Sequence, residues 1–122
     1  MIGYITIGSN DLERGAAFYD ALLEPLGVRK MSPNDRIIMW STKGSPMLGI
    51  AQPFDGEAAS VGNGTMVALS VESTDLVDTL HAKALTLGAA DEGAPGLRGD
   101  TFYGGYFRDL DGNKLVVFTI KR

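Results

Sequence analysis

The composition of this sequence excludes several kinds of chemistry before any motif is considered. Its 122 residues include no cysteine and a single histidine, His81. Without cysteine the chain has no disulfide, no thiolate nucleophile and no cysteine-ligated metal. His81 lies in a predicted helix, where a lone histidine is most often a surface or boundary residue. A Ser-His-Asp constellation is therefore not expected.

Basic clusters and long apolar runs are also missing. The formal net charge is −4 and the basic residues are scattered, which predicts that nucleic acid is not a partner. No apolar run approaches the roughly 20 residues of a membrane span, so a membrane is not an expected partner either. The N-terminal residues 1–7 have the pattern of a strand and not of a signal peptide. The absence of cysteine is typical of a reducing compartment, and we predict a cytoplasmic protein.

The first half of the chain has the pattern of a strand, a helix and three further strands. Alternation of apolar and polar residues predicts a strand over 2–8. A helix capped by Asn10 follows and ends at Pro25 and Gly27. Turn-rich breaks then separate predicted strands over 28–31, 36–42 and 47–52, and a polar, glycine-rich linker is predicted over 53–64.

The second half restarts the same order. A strand over 65–71 precedes a helix that is capped by Ser73 or Thr74 and ends at Gly88. A weak strand near 89–91 and two stronger strands over 101–109 and 114–120 follow, with Asp111-Gly112 predicting a two-residue hairpin turn between the last two. Internal repetition of this kind predicts one domain over residues 1–122, with βαβββ repeats at approximately 1–55 and 64–122.

Three segments carry a resemblance to a known family. Residues 5–14 (ITIGSNDLER), followed by AFYD at 17–20, resemble the first strand and helix of bacterial vicinal-oxygen-chelate proteins, the glyoxalase, bleomycin-resistance and dioxygenase superfamily. Residues 91–98 (DEGAPGLR) are similar to a loop of its glyoxalase-like branch, and residues 106–114 (YFRDLDGNK) resemble its final hairpin, with Leu110 where proline is more usual. The resemblance implies an α+β fold in which two βαβββ repeats form a cupped mixed sheet with helices on the outer face. It also implies a homodimer.

Many members of that superfamily hold a divalent metal in the cup through His, Glu or Gln side chains on the first and last strands of each repeat. The matching positions here are Tyr4, Met66 and Val116, and the strand over 47–52 offers only Gln52, late in the strand. Met66 and Val116 have no carboxylate, imidazole or amide group to give to such a metal. We therefore expect neither a metal nor another cofactor, with a displaced site or ligands from a partner chain as the exceptions.

The alternation of the strands indicates which side chains line the cup. They form an apolar and aromatic surface with a few hydroxyls, which suits a flat or hydrophobic small molecule. Arg98, in a predicted loop, either clamps an anionic group of the ligand or is a solvated loop residue. Core packing or a dimer interface is the alternative for the aromatic residues. The predicted pocket residues are Tyr4, Thr6, Trp40, Met66, Ala68, Arg98, Tyr103, Tyr106, Val116 and Phe118.

Three functions remain open on the sequence. The first, which we favour, is a metal-free member that binds a small apolar or aromatic ligand in the cup. The second is a glyoxalase-like lyase or a related, dioxygenase-like enzyme with a displaced metal site. The third is a non-catalytic member whose cup is filled by its own side chains and which acts through protein contacts. The sequence assigns no catalytic residue.

Overall fold

Each half of the chain folds as one helix against a four-stranded mixed sheet. The computed structural model describes all residues from Met1 to Arg122. These residues form two units, Met1–Val61 (unit 1) and Gly62–Arg122 (unit 2). Neither helix has the length and apolar character that a membrane crossing requires.

Unit 1 has the strand-helix-three-strand order that its sequence predicts. A short 3-10 turn, Glu24–Leu26, follows the helix and ends at Gly27, whose φ of 65° is in the left-handed region. The elements are β1 (Tyr4–Gly8), α1 (Leu12–Leu23), β2 (Arg29–Asn34), β3 (Ile37–Ser41) and β4 (Met47–Ala51).

Unit 2 repeats the order with longer strands. Its elements are β5 (Val67–Ser70), α2 (Thr74–Thr86), β6 (Ala90–Arg98), β7 (Phe102–Arg108) and β8 (Lys114–Ile120).

The two sheets have the same topology. Their strand orders are β1-β4-β3-β2 and β5-β8-β7-β6. In each sheet the first and last strands of the unit pair in parallel, and the remaining pairs are antiparallel. The chain is therefore an α+β protein made of two βαβββ units, which confirms the predicted fold class.

Both helices begin at a residue that caps their free amide groups, although one cap differs from the prediction. Asp11, not Asn10, caps α1, because its carboxylate accepts from the Arg14 amide at 3.0 Å. Ser73 caps α2 in the same way, with its hydroxyl 3.1 Å from the Leu76 amide. Such caps satisfy amides that have no partner within the helix.

Asn10 instead fastens the following linker to the start of α1. Its side-chain oxygen accepts from the Ala59 amide at 2.7 Å, and its amide nitrogen donates to the Ala59 carbonyl at 3.3 Å. A Cβ on Gly8 would lie 2.8 Å from the Ala59 side chain, so glycine permits this close approach. The first part of the predicted linker is thereby part of unit 1.

The core of each unit lies between its helix and one face of its sheet. In unit 1 Tyr19 and Leu22 of α1 meet Ile50 and Trp40, and all four side chains are almost completely buried. Unit 2 buries another set to the same degree, which comprises Val77, Leu80, Phe107, Leu115 and Val117. This burial supplies most of the free energy that holds each helix on its sheet.

Two predictions about unit 2 are wrong. Residues 91–98 were expected as a loop after a weak strand, but they belong to β6, which spans Ala90–Arg98. The pairing of β6 with β7 is irregular between Asp91 and Gly93 and again between Gly93 and Gly96. These irregularities and the glycines remove the period-2 pattern by which a strand is recognised in sequence.

The turn between β7 and β8 is also longer than the predicted two residues. It runs over residues 109–113, between Arg108 and Lys114. The carboxylate of Asp109, which is buried, accepts hydrogen bonds from the Asp111 and Asn113 amides at 2.9 Å each. Gly112 has a φ of 87°, as the sequence signal requires. The Asp-Gly pair therefore marks the right turn, but the internal bonds of Asp109 set its length.

Candidate functional site

Each sheet has one face against its helix and one face that the helix leaves uncovered, which we call the open face. Because successive side chains of a strand alternate between faces, the residues that contact the helix identify both. In β1 and β4 the helix face carries Ile7 and Ile50, which are paired in register. Tyr4 and Thr6 alternate with Ile7 and therefore lie on the open face of unit 1.

The open face of unit 1 has no charged side chain on β1 or on its parallel partner β4. Tyr4 is 58% exposed there. Thr6 pairs with Gly49, and a Cβ on Gly49 would lie 3.4 Å from the Thr6 methyl group and 3.1 Å from Met39. Glycine at this position therefore lets Thr6 and Met39 approach the backbone of β4. Met47, which is paired with Tyr4, lies beside it on the same face.

The open face of unit 2 carries a pair of stacked aromatic rings. The rings of Phe102 and Phe118 are parallel within 9°, with centroids 4.9 Å apart. They lie beside Gly104, where a Cβ would be 2.7 Å from the Phe102 ring and 3.1 Å from Val116. The missing side chain of Gly104 makes room for Phe102, and Phe118, Val116 and Ala68 lie on the same face by alternation along β8 and β5.

Next to this pair, Tyr106 is contacted by two cationic side chains. The Arg98 guanidinium carbon lies 5.4 Å and the Lys114 ammonium nitrogen 5.6 Å from the centre of the Tyr106 ring. These distances are those of cation–π contacts. Neither Arg98 nor Lys114 forms an ion pair with a carboxylate. Two positive charges without a paired acid therefore stand on one face of a protein whose net charge is −4.

The strand β6 holds the Arg98 side chain in place. Its two terminal nitrogens donate to the carbonyl oxygens of Gly96 and Ala94, at 2.9 and 2.8 Å. A Cβ on Gly93 or on Gly96 would lie 3.2 Å from these nitrogens. The glycines leave the space into which the guanidinium folds, and the hydrogen bonds fix its orientation over the Tyr106 ring.

The structure places most of the predicted pocket residues on the open faces of their own units. Tyr4 and Thr6 lie on the open face of unit 1. Met66, which directly precedes β5, is exposed. The open face of unit 2 carries Ala68, Arg98, Tyr106, Val116 and Phe118.

Trp40 and Tyr103 were predicted on the same surface, and their placement corrects that prediction. Trp40 is 2% exposed and faces α1, where its indole nitrogen donates to Asp20 at 2.9 Å and its ring contacts Tyr19. Tyr103 faces α2, and its hydroxyl donates to Asp78 at 2.7 Å. Tyr103 lies three positions before Tyr106, an odd spacing that puts the two rings on opposite faces of β7.

Both of these helix-face hydrogen bonds shift the pKa of a partner. At Asp20, burial acts to raise the pKa, but hydrogen bonds from Lys30 and Trp40 and the charge of Lys30 outweigh it and lower the pKa below its usual value. Lys30 approaches the Asp20 carboxylate to 2.9 Å. At Tyr103, the hydrogen bond to the Asp78 carboxylate raises the pKa of the phenol. These groups stabilise helix–sheet contacts and do not line the open faces.

Sequence reasoning did not find Phe102 and Lys114 as site residues. Both are on the open face of unit 2 because of the register, in which Phe102 pairs with Ile120 and Lys114 with Arg108. The signal that was available is parity: Lys114 is two positions before Val116 and four before Phe118, both of which were predicted. A charged residue within a strand pattern is usually assigned to the solvent-facing side, so the residue type of Lys114 argues against the face that its parity indicates.

His81 is also placed differently from the expectation of a surface or boundary position. It is 4% exposed. Its Nε2 lies 3.2 Å from an Asp91 oxygen and 3.1 Å from the Tyr106 carbonyl oxygen. Because both neighbours are acceptors, this nitrogen carries the hydrogen and donates to them. His81 therefore joins α2 to β6 and β7 as a structural residue.

The donor groups on the open faces do not fit the superfamily's usual metal site. No group of three or more His, Cys, Asp or Glu side chains converges anywhere in the chain. On the open faces of the parallel-paired strands stand Tyr4, Thr6 and Met47 in unit 1, and Ala68 and Val116 beside Lys114 in unit 2. None offers a carboxylate, imidazole or amide, and an ammonium group repels a cation.

A shallow depression of about 320 Å³ lies elsewhere, at the start of α1. Gln52, the one residue near β4 with a possible ligand oxygen, lines this depression and not the central part of the open face. Its other lining residues come from the β1–α1 junction and the linker, and comprise Ser9, Asn10, Leu12, Pro53, Gly56, Glu57 and Ala58. The depression has no basic side chain, and Glu57 is its only acid.

Comparison with known families gives a match over nearly the whole chain. The model of the Glyoxalase/Bleomycin resistance protein/Dioxygenase superfamily matches residues 1–117. No curated protein matches this chain.

Several solved structures have the same fold. A glyoxalase/bleomycin resistance protein from Albidiferax ferrireducens T118 is 33% identical, covers 98% of both chains and superposes with a TM-score of 0.89. A hypothetical protein, SA1046 from S. aureus, is 24% identical over 95% of this chain and 91% of its own, with a TM-score of 0.77. A lactoylglutathione lyase from Agrobacterium tumefaciens is 18% identical over 98% of this chain and 92% of its own, with a TM-score of 0.73. The last two likenesses concern the fold alone.

Proposed function

Because the chain belongs to the glyoxalase/bleomycin resistance protein/dioxygenase superfamily, we propose that it is a metal-free member that binds a small apolar or aromatic molecule against its open sheet faces. The observation that carries the proposal is the side-chain chemistry of these faces. Unit 2 presents the Phe102–Phe118 pair and the Tyr106 ring, and unit 1 presents Tyr4 with methionine and threonine side chains. Flat aromatic surfaces with few polar groups favour flat apolar ligands.

The donor set supports the metal-free part of the proposal. Glyoxalase-like and dioxygenase-like members use a divalent metal to stabilise an enediolate-like anion or to activate oxygen, and either use needs oxygen or nitrogen ligands on the open faces. The central positions carry Met47, Ala68, Lys114 and Val116. For that reason we do not propose a metal-dependent lyase, and we assign no residue a catalytic role.

The expected setting of this activity is a cytoplasmic homodimer. Both properties are proposals that follow from the superfamily and from the absence of cysteine, and sedimentation of the purified protein tests the dimer. The proposed partner is a small molecule, and neither nucleic acid nor a membrane is proposed as a partner.

The test of ligand binding uses naphthamide, a neutral flat aromatic amide, as the probe. We expect saturable binding by titration calorimetry and an increase in melting temperature with probe concentration. Phe118→Ala removes half of the stacked pair and is expected to weaken binding by about twofold to tenfold, the value of an aromatic pair. Phe54→Ala is the matched control, because Phe54 is an exposed phenylalanine of unit 1 that lies outside all of the strands.

The metal-free part has its own test. The purified protein is dialysed, supplied with zinc or nickel, dialysed again and analysed for metal content. We expect less than stoichiometric metal and no change in naphthamide binding. One metal ion per chain that survives the second dialysis would contradict the proposal, as would equal effects of the Phe118 and Phe54 substitutions.

A further inference from the structure

Arg98 and Lys114 point to a more specific ligand than an apolar molecule. We infer that the open face of unit 2 selects planar aromatic anions, with Arg98 and Lys114 holding the anionic group and the Phe102–Phe118 pair and Tyr106 holding the ring. This inference rests on the proposed function, since it names the ligand class of the same face.

The charge of this face supports an anion over a neutral ligand. Arg98 and Lys114 both approach the same ring, to 5.4 and 5.6 Å. Each lacks a carboxylate partner, whereas nearby Arg108 is paired with Glu92 at 2.7 Å. Two like charges near one ring repel each other, and an anion between them would remove that repulsion.

The hydrogen bonds of Arg98 leave it able to receive such a group. A guanidinium has five N–H donors, and Arg98 uses one on each terminal nitrogen to bind the carbonyls of Gly96 and Ala94. These bonds hold the group in a fixed orientation, so little side-chain entropy is lost when an anion binds. The remaining donors are free to make charge-assisted hydrogen bonds to a carboxylate.

The neighbouring rings set the shape of the ligand. The Phe102 and Phe118 rings are parallel within 9° with centroids 4.9 Å apart, and this apolar aromatic pair stands on the same face as the two cations. Gly104 lacks the side chain that would displace Phe102. A planar ring with an attached carboxylate matches an aromatic surface next to a cationic one, whereas an aliphatic anion would use only the cations.

The corresponding face of unit 1 does not have this chemistry. Where unit 2 has Lys114 at the start of its last strand, unit 1 has Met47. The central positions of its β1 and β4 are uncharged. A second copy of the chain that placed this face on the open face of unit 2 would bring no acidic group to Arg98 and Lys114, so charge complementarity favours a small anion as the occupant.

The test compares three probes with the same ring system: naphthoate, naphthamide and naphthamidinium, which are flat and differ chiefly in charge. We expect naphthoate to bind at least about tenfold more tightly than naphthamide, as charge-assisted hydrogen bonds imply, and naphthamidinium to bind most weakly. Raising the salt concentration is expected to weaken naphthoate binding and leave naphthamide binding unchanged.

Variants test whether the preference for naphthoate depends on Arg98 and Lys114. In the double variant Arg98→Gln, Lys114→Met we expect the preference for naphthoate over naphthamide to disappear, so that the two probes bind with equal affinity. Lys43→Met is the matched control, since it removes an exposed positive charge from unit 1 and is expected to preserve the tenfold preference. Circular dichroism and urea unfolding check that each variant is folded.

The outcomes separate this inference from the proposed function. Equal binding of all three probes to the wild type would overturn the anion selectivity and leave aromatic binding intact. No binding of any probe would overturn both. A preference for naphthoate that survives the double variant would place the anion elsewhere and overturn the assignment to this face. If the probes do not bind and the double variant changes the sedimentation coefficient, the face is an interface between copies and the inference is wrong.

Discussion

The two units share one topology but use it differently. Their helix faces both combine an apolar core with polar side chains that join helix and sheet, through Trp40 and Asp20 in unit 1 and through His81 and Tyr103 in unit 2. Their open faces differ more, since the central strands of unit 1 are uncharged there and unit 2 carries two cations around an aromatic ring. A repeated scaffold therefore fixes where a face lies, and individual substitutions decide what that face can bind.

The largest expected effect concerns the core of unit 1. Trp40→Ala removes a buried indole that contacts Tyr19 and donates to Asp20. We expect it to lower the free energy of unfolding by about 3–5 kcal/mol, as large-to-small core substitutions do. Urea unfolding followed by circular dichroism measures the change.

Trp40→Phe separates packing from hydrogen bonding at the same position. It keeps a ring beside Tyr19 but removes the donor to Asp20, and we expect a loss below about half of that of the alanine variant. Similar losses for both substitutions would mean that the hydrogen bond, and not the packing of the indole, dominates in unit 1.

A smaller effect distinguishes the ways in which the two helices approach their sheets. In unit 1 the glycine is in the helix, and a Cβ on Gly15 would meet the end of the Ile50 side chain at 2.9 Å. In unit 2 the glycine is in the strand, and a Cβ on Gly105 would meet the His81 ring and Pro95 at 3.0–3.1 Å. His81 is fixed by its hydrogen bonds, whereas the end of an isoleucine can rotate.

We therefore expect Gly105→Ala to destabilise the protein by about 1–3 kcal/mol, the usual cost of overpacking. Gly15→Ala is its matched partner and should cost less, because alanine favours the helix over glycine by about 1 kcal/mol and offsets part of the contact. Thermal and urea unfolding of both variants give the comparison. A greater loss for Gly15→Ala would show that the approach of α1, not that of α2, is the less adaptable one.

The smallest expected effects appear at opposite ends of the pH range. The pKa of Asp20 is lowered in the folded state, so its bonds to Lys30 and Trp40 stabilise unit 1 above roughly pH 4, and this stabilisation is lost as the pH falls through the folded-state pKa. The pKa of Tyr103 is raised by Asp78, so that bond stabilises unit 2 below roughly pH 10 and is lost as the pH rises through the folded-state pKa.

Asp20→Asn and Tyr103→Phe measure these two contributions. We expect the difference between wild type and Asp20→Asn to be at most about 1 kcal/mol at neutral pH, because the side chain is partly exposed, and to shrink in acid. The difference for Tyr103→Phe should shrink only in alkali. Asp35→Asn, at an exposed turn, is the control for acid. If the differences in stability between wild type and variant do not vary with pH, the roles assigned to the Asp20–Lys30 ion pair and to the Tyr103–Asp78 hydrogen bond are wrong.

Much of the fold could be predicted because local signals are repeated. The restart of the strand-helix-strand pattern at residue 65, the cap at Ser73 and the glycine at the end of each helix all depend on neighbours in sequence. The open-face positions Tyr4, Thr6, Ala68 and Val116 follow from alternation in regular strands. The sequence could also show that these positions lack metal ligands, since residue type alone decides that.

Other features depended on contacts between distant residues. The burial of His81 needs acceptors supplied by Asp91 and Tyr106, which are ten and 25 positions away. Trp40 faces α1 because its indole nitrogen donates to Asp20 there and its ring contacts Tyr19. No local pattern contains this information, so for a helix histidine and a strand tryptophan the sequence supports only general tendencies of burial.

By itself the sequence determined two βαβββ units and an open face poor in metal ligands. Only the tertiary structure decided that Arg98, Tyr106 and Lys114 meet on that face. The physical reason is register: β6 is irregular at Gly93 and before Gly96, and a shift of one residue in a strand sends every following side chain to the other face. In a regular strand the face of each side chain can be counted from the sequence. In an irregular strand such as β6, the face depends on which residues of the neighbouring strand each residue pairs with.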